Sequence, residues 1–414
     1  RLVADAADPE DLLKSVTQFA TQVCRAHGAW CEVYEDDATR VVAARLVTAD
    51  YVRALHHHPQ FRRMITASSR PAMIDSITEQ FAEEGSTLPM RSLITVPLLA
   101  NHERYGTLVM FSTVEFGFVQ DDLRLLSAFG DQVGIALDQA RLLETEIEKQ
   151  RLEKEFDVAR RIQQSLLPTA PPAGTCFDVA GVSVPATEVG GDYFDYVRFA
   201  NGNPGIIIAD VSGKGVPAAL YMATLKGAVL ADMRLARGPA DLLKRLHATL
   251  SGSMERRTFI TIACVEVDRS CTYVRIARAG HTPVIVRTGG EVRSIKPSGL
   301  ALGIVDQAQF DAKLEEVEVP ILPGDICLLT TDGVNERRNA QLQELQYQPV
   351  EEMLARAGNT SASRLVQRTQ SLLDAHGQGT EQHDDVTIVA AVFGEPIETN
   401  TSRERTAVGT GVPL

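Results

Sequence analysis

The sequence predicts an α+β chain: a small sheet-and-helix unit, one long helix, then a larger unit of antiparallel sheets with flanking helices. Three observations carry this. Two apolar, β-branched runs, SLITVPLLA (92–100) and YGTLVMFST (105–113), read as a hairpin closed by the polar turn NHER. From Asp121 the residues Leu126, Phe129, Val133, Ala136, Ala140, Leu143 and Ile147 recur at spacings of three and four, the pattern of a helix seam. Beyond Thr175, strands follow one another across short turns while helices come in clusters, which argues for antiparallel sheets and against repeated βαβ units.

Taken in order, residues 1–141 form the mixed unit. The run HHHPQ (56–60) reads as a surface loop, because three adjacent histidines point in different directions on any regular element. The helical pattern that opens at Asp121 continues for more than forty residues, but its seam slips after Ile147. The next workable set, Leu152, Phe156, Ala159, Gln163 and Leu166, is offset by two, which marks a hinge. Between the two sets EIEKQRLEKE is almost wholly polar, and so polar a helix needs a partner helix or its own i to i+4 pairs. A parallel homodimer over a linker spanning 142–168 is therefore expected. Pro168, Pro171 and Pro172 end the helix. The larger unit occupies 169–394, with strands in CFDVAGVSV, YFDYVRF, GIIIAD, TFITIACVEV, TYVRIARA, DICLLTT and DVTIVAAV and helices over 216–234, 239–254, 349–357 and 361–376. The segment 395–414 lacks periodicity and is expected to be disordered.

Composition narrows the function. With 414 residues, 44% of them hydrophobic, the chain can build two or three cores. A formal charge of −13 on a mixed background of 41 basic and 54 acidic residues repels phosphate backbones, which excludes nucleic acid as a partner. No apolar run reaches the roughly 18 to 20 residues that cross a bilayer, and no signal segment opens the chain. The six cysteines form no CxxC pair and several lie in apolar runs, where a free thiol acts as a small hydrophobe. A cytoplasmic protein without membrane association is expected. The chain opens on Arg1, so residues upstream of it are expected too.

The larger unit repeats one oddity: apolar strands that deliver an aspartate at their ends. GGDYFD carries Asp192 and Asp195, IIIADVSGKG Asp210, CLLTTDGVNE Asp332 and HDDVTIVAA Asp384 and Asp385. One such aspartate is ordinarily a turn former or helix cap. Four places together are another matter: if the strands share an end the carboxylates converge and repel unless a cation lies among them. An all-oxygen set favours Mg²⁺ or Mn²⁺ over zinc or copper. Two such ions, about 3.5 to 4 Å apart, activate a water and clamp a phosphoryl group for in-line displacement. The SGKG segment lacks the GxxxxGK[ST] frame of an ATP site, and no GxSxG elbow is present.

In order, ARRIQQSLLP, EVGGDYFD, ADVSGKGVPAAL, TFITIACVEVD, ARAGHTP, SGLALGI, PGDICLLTTDGVNE and HDDVTIV resemble the SpoIIE-type bacterial metal-dependent protein phosphatases, which share the fold of eukaryotic protein phosphatase 2C. The resemblance covers 155–393. It implies an α-β-β-α sandwich of two antiparallel sheets with two Mn²⁺ or Mg²⁺ ions at one edge, acting on phosphoserine or phosphothreonine of a protein. It further implies that Asp210 bridges both ions with the Val211 carbonyl completing one, that Asp332 and Asp384 hold the second, and that Asp192 binds metal. Catalytic roles fall on Asp210 and Asp332. Asp385 joins the metal set, although it and Asp195 could instead orient a neighbour. Gly213 and Gly215 would let the backbone pass close to the site. His281, at a strand-to-turn junction, is left out of the catalytic set, and no arginine is assigned to phosphate recognition.

The N-terminal unit resembles a GAF sensor domain through RSLITVPLLANHERYGTLVMFST and FVQDDLRLLSAFGDQVGIALDQARLL. That resemblance implies a small-molecule or protein signal whose identity the residues do not select. Together the parts predict a GAF sensor joined by a dimeric linker to a two-metal phosphatase, acting on a phosphorylated STAS-type anti-sigma-factor antagonist. The alternative is a pseudophosphatase that binds partners without turnover.

Overall fold

The computed structural model describes residues 9–35, 38–57, 61, 65, 70–77, 90–101, 103–170, 172, 176–255 and 257–394. The expected disordered tail, 395–414, lies outside them. The chain divides into two compact units, Arg1–Leu152 and Glu153–Leu414.

In the first unit five antiparallel strands, β1 (Gly28–Glu35), β2 (Ala38–Arg45), β3 (Ala72–Ile74), β4 (Ser92–Ala100) and β5 (Glu103–Ser112), lie in the order β2-β1-β5-β4-β3. Strand alternation sends Ala29 and Cys31 to one face. There they meet Leu12, Leu13 and Val16 of α1 (Pro9–Val23) and Leu126 and Val133 of α3 (Gln120–Leu166). Trp30 goes to the other face, with Val52 and Leu55 of α2 (Ala49–His56). The β4–β5 hairpin matches expectation, except that its turn is tighter than NHER. Glu103 and Arg104 already pair with Ala100 and Leu99, because Asn101 accepts the left-handed conformation (φ 50°) that so short a turn demands. The histidine run is not simply a loop: His56 closes α2, and its Nε2 lies 2.8 Å from the fully buried carboxylate of Glu32, while His58 to Gln60 fall outside the described residues.

Helix α3 runs unbroken for 47 residues, so the slip between Ile147 and Leu152 moves the apolar face without interrupting the hydrogen-bond ladder. Residues 141–155 are exposed all round.

In the second unit two five-stranded antiparallel sheets stack. One is ordered β13-β10-β9-β8-β7: Glu316–Pro320, Tyr273–Ala279, Ile260–Val267, Pro204–Val211 and Tyr193–Arg198. The other is ordered β12-β11-β14-β15-β6: Glu291–Ile295, Val284–Thr288, Ile326–Thr330, Val386–Phe393 and Phe177–Val184. Ile206, Ile208 and Val265 meet Leu329, Val389 and Phe393 between them. The opposite residues of β8, Ile207 and Ala209, pack on α4 (Val216–Asp232) and α5 (Pro239–Leu250). Outside the second sheet lie α8 (Gln348–Ala355) and α9 (Ala362–His376), while the short α6 (Gln307–Lys313) and α7 (Asp332–Asn335) fill connections. This is the expected α-β-β-α sandwich. Several cysteines are free thiols, but not all: Cys176 and Cys271, 6.2 Å apart at Cα, are joined as a disulfide across the start of β6 and the β9–β10 turn. Cys24, Cys31, Cys264 and Cys327 are free and buried, as expected.

Candidate active site

The acidic residues come together where β8 and β14 end and where β7 and β15 begin. Asp210, next to last in β8, stands opposite Thr261 of β9, and burial together with Asp332, Asp384 and Asp385 pushes its carboxyl up to about 7. Asp332 opens α7 directly after β14. Burial and Asp384 raise it, against its own N–H and that of Gly333, which favour the charged form. Asp192 is buried before β7, accepts a hydrogen bond from Thr331 Oγ1 at 2.8 Å, and is raised by burial and then by Asp210. Like charges are thus held together in a half-dry edge with a cation beside them. That cation is Lys214, whose Nζ is 3.3 Å from Asp384 Oδ2 and also donates to the His383 carbonyl.

The two doubtful aspartates resolve differently. Asp195 takes no part: its oxygens accept from Tyr193 Oη (2.7 Å), Tyr196 N (2.8 Å) and Lys226 Nζ (2.6 Å). Asp385 is near enough to raise Asp192 and Asp210, yet its Oδ1 takes Ala186 N (2.8 Å) and its Oδ2 takes Gly191 N (2.6 Å). It pins the loop that carries Asp192. A Cβ on Gly190 would collide with that carboxylate, and one on Gly191 would come within 2.7 Å of the Val211 carbonyl, so both glycines let this loop close down. Gly213 and Gly215 serve otherwise than expected. No atom lies within 4 Å of an added Cβ at either, and their positive φ (98° and 71°) is what excludes other residues.

The same loop is held from the other side by α3. Gln163 Nε2 donates to the Gly190 carbonyl (2.6 Å), Gly190 N donates back to Gln163 Oε1 (3.1 Å), and Arg160 Nε donates to the Glu188 carbonyl (2.9 Å). Gln163 belongs to the second seam set, and its polarity within that set is the sequence signal for this contact. Gln163→Leu, of similar size, is expected to weaken Mn²⁺ affinity and activity about tenfold, as loss of groups behind metal ligands does. Metal titration of the variant checks this, and unchanged affinity would make the clamp merely structural.

His281 is buried with Nδ1 2.8 Å from Thr261 Oγ1, and burial followed by Arg278 drives its pKa down to about 3, so it stays neutral and offers no proton near pH 7.

The donor chemistry fits hard divalent ions: carboxylates and the Val211 carbonyl, crowded enough to force protons onto some of them. Among the described residues no three carboxylate, imidazole or thiol groups already stand in a closed coordination shell, and Lys214 engages Asp384 instead.

Residues 200–393 match the family of Stage II sporulation protein E (SpoIIE), and residues 8–139 match a GAF domain family. The chain is 32% identical over 250 residues to phosphoserine phosphatase RsbU of Bacillus subtilis, covering 58% of this chain and 70% of that one. Phosphoserine phosphatase RsbP of the same organism is 24% identical over 191 residues, covering 45% of this chain and 46% of that one. The solved SiaA-PP2C domain of Pseudomonas aeruginosa shares the fold, with a TM-score of 0.53 at 23% identity, covering 59% of this chain and 98% of the domain.

Proposed function

The chain belongs to the SpoIIE family, and from that premise we propose that it is a signal-regulated, metal-dependent protein serine/threonine phosphatase whose substrate is a phosphorylated STAS-type anti-sigma-factor antagonist. The observation that carries the reading is the meeting of Asp192, Asp210, Asp332 and Asp384 at one sheet edge, with Asp210 pushed to about 7 by burial and then by its acidic neighbours. Two Mn²⁺ or Mg²⁺ ions, when bound, supply an activated water and neutralise the phosphoryl oxygens. Asp210 and the Val211 carbonyl, with Asp192, Asp332 and Asp384, are the residues that would hold them. Asp385 and Gln163 fix the loop bearing Asp192, and Lys214 would have to release Asp384 for that carboxylate to hold a cation.

The family resemblance also supports a partner-switching circuit in the cytoplasm, although the Cys176–Cys271 disulfide is a bond that a reducing compartment would open. A signal at the GAF domain would reach the Gly190 loop through α3, and exposed Leu142, Leu143, Ile147 and Leu152 favour a second copy of the chain along that helix. Among the described residues no helix is long and apolar enough to cross a membrane.

The test is hydrolysis of p-nitrophenyl phosphate and of a phosphorylated STAS protein by the full chain with Mn²⁺, with and without EDTA, with sedimentation of the same preparation reporting a dimer. Turnover that EDTA abolishes supports the reading. No turnover on either substrate under any metal would leave the partner-binding pseudophosphatase.

A further inference from the structure

A cleft of about 210 Å³ opens beside the acidic edge, and Asp332 is one of its walls. The remaining walls include Arg278, His281, Thr282, Lys296 and Tyr347. Its electrostatics are opposite to those of the edge. Arg278 is 8% exposed, and its guanidinium is held by carbonyls alone: Nε donates to Pro297 O at 3.2 Å and Nη1 donates to His281 O. No carboxylate pairs with it among the described residues, and Nη2 has no protein partner. Lys296, exposed at the rim, likewise has no acidic partner among the described residues. A buried cation without a counter-charge is costly, and an arriving anion would offset that cost.

The backbone that carries Arg278 is tightly packed. Gly299 packs so closely that a Cβ there would collide with the Arg278 carbonyl, and Gly280 donates to the Gly299 carbonyl at 2.9 Å with φ 74°. Tyr347 lines the cleft together with Asp332 and Arg278, so its side chain borders both charge regions.

We propose that Arg278 and Lys296, with the Tyr347 hydroxyl, form the subsite that takes the substrate's phosphate oxygens beside Asp332. A phosphoserine carries about −1.5 to −2 charge at pH 7 and three acceptor oxygens, which suits a planar guanidinium fork backed by an ammonium. The fork orients the group, and the lysine adds charge at the mouth. The proposal rests on the phosphatase reading and supplies the arginine that the motifs left unassigned.

The test uses the full chain loaded with Mn²⁺ and inorganic phosphate as the probe, read by calorimetric binding and by competitive inhibition of p-nitrophenyl phosphate hydrolysis. Arg278→Lys keeps the charge and loses the fork; Lys296→Ala is a surface change that leaves folding alone. Phosphate Kd and Ki are expected to rise about tenfold in the first and about threefold in the second, with Mn²⁺ affinity unchanged. Should Arg278→Lys not fold, Lys296→Ala and the charge-reversed Lys296→Glu decide, the second weakening phosphate further than the first. Phosphate binding that is absent in the wild type, flat across the variants, or weakened only in step with Mn²⁺ binding overturns the subsite. Hydrolysis with a flat series sinks the subsite and spares the phosphatase; phosphate binding that responds to the variants without any hydrolysis does the reverse.

Discussion

Asp210→Asn is expected to lower Mn²⁺-dependent turnover at least about a thousandfold, roughly 4 kcal/mol of transition-state stabilisation, while making the metal-free protein more stable. The two effects have one cause. Asp210 is surrounded by Asp332, Asp384 and Asp385 at a buried strand end, and its raised pKa measures how unfavourable its charge is there. A neutral amide of the same shape removes that repulsion, worth about 1 to 2 kcal/mol at pH 8 after allowance for coupling among the acids. It also removes the charge that would draw cations to the edge. Asp332→Asn should behave alike with a smaller gain in stability. Kinetics with Mn²⁺ and thermal unfolding in EDTA check both halves. Turnover within tenfold of wild type, or a variant less stable than wild type without metal, would show that Asp210 is an ordinary turn residue.

The metal-edge acids were legible because the sequence writes them as contradictions. A run such as GIIIAD or ICLLTTD has no local reason to end in a charge. Whether Asp385 holds metal or orients a neighbour stays open in the sequence. Neighbours in sequence present different faces, and only the amides of Ala186 and Gly191, almost two hundred residues away, reveal that Asp385 holds a loop. Arg278 was hidden for a related reason. In TYVRIARA it reads as one more residue of a strand, and its burial beside carbonyls depends on Pro297 and His281 folding over it. Secondary structure failed at the shortest strands: VIVRT, inside its sheet, and EVRSI and EVEVP, at sheet edges, each run for only five positions, too short to separate from loop. Helix α6, at seven residues, is shorter than two turns and left no periodic signal. The unbroken course of α3 follows from the same physics. A change of seam alters what the helix packs against, while backbone hydrogen bonding is indifferent to which side chains are apolar.

The second large effect is in pH. In the metal-free protein Asp210 holds its proton up to about 7, whereas in the unfolded chain it releases it near the ordinary 3.8. Between those values the folded state binds more protons than the unfolded one, so this group's contribution to stability falls as pH rises and is level above 7. Two buried histidines pull the other way: His281, lowered to about 3, and His247, also lowered by burial, both destabilise the fold as pH drops below 6.5. The net slope of the wild type therefore mixes both signs. The difference between wild type and Asp210→Asn cancels the histidines, so the advantage of the variant should be absent near pH 4, grow through 5 and 6, and level above 7. Mn²⁺ must displace the same protons, and its apparent affinity should strengthen by up to about tenfold per pH unit below 7 for each proton released, then flatten. Unfolding temperatures at pH 5, 6, 7 and 8, in EDTA and in Mn²⁺, give both curves. A stabilisation by Mn²⁺ that does not change with pH would mean that the cation binds away from Asp210, and the acidic edge would then be only an electrostatic liability clamped by Lys214.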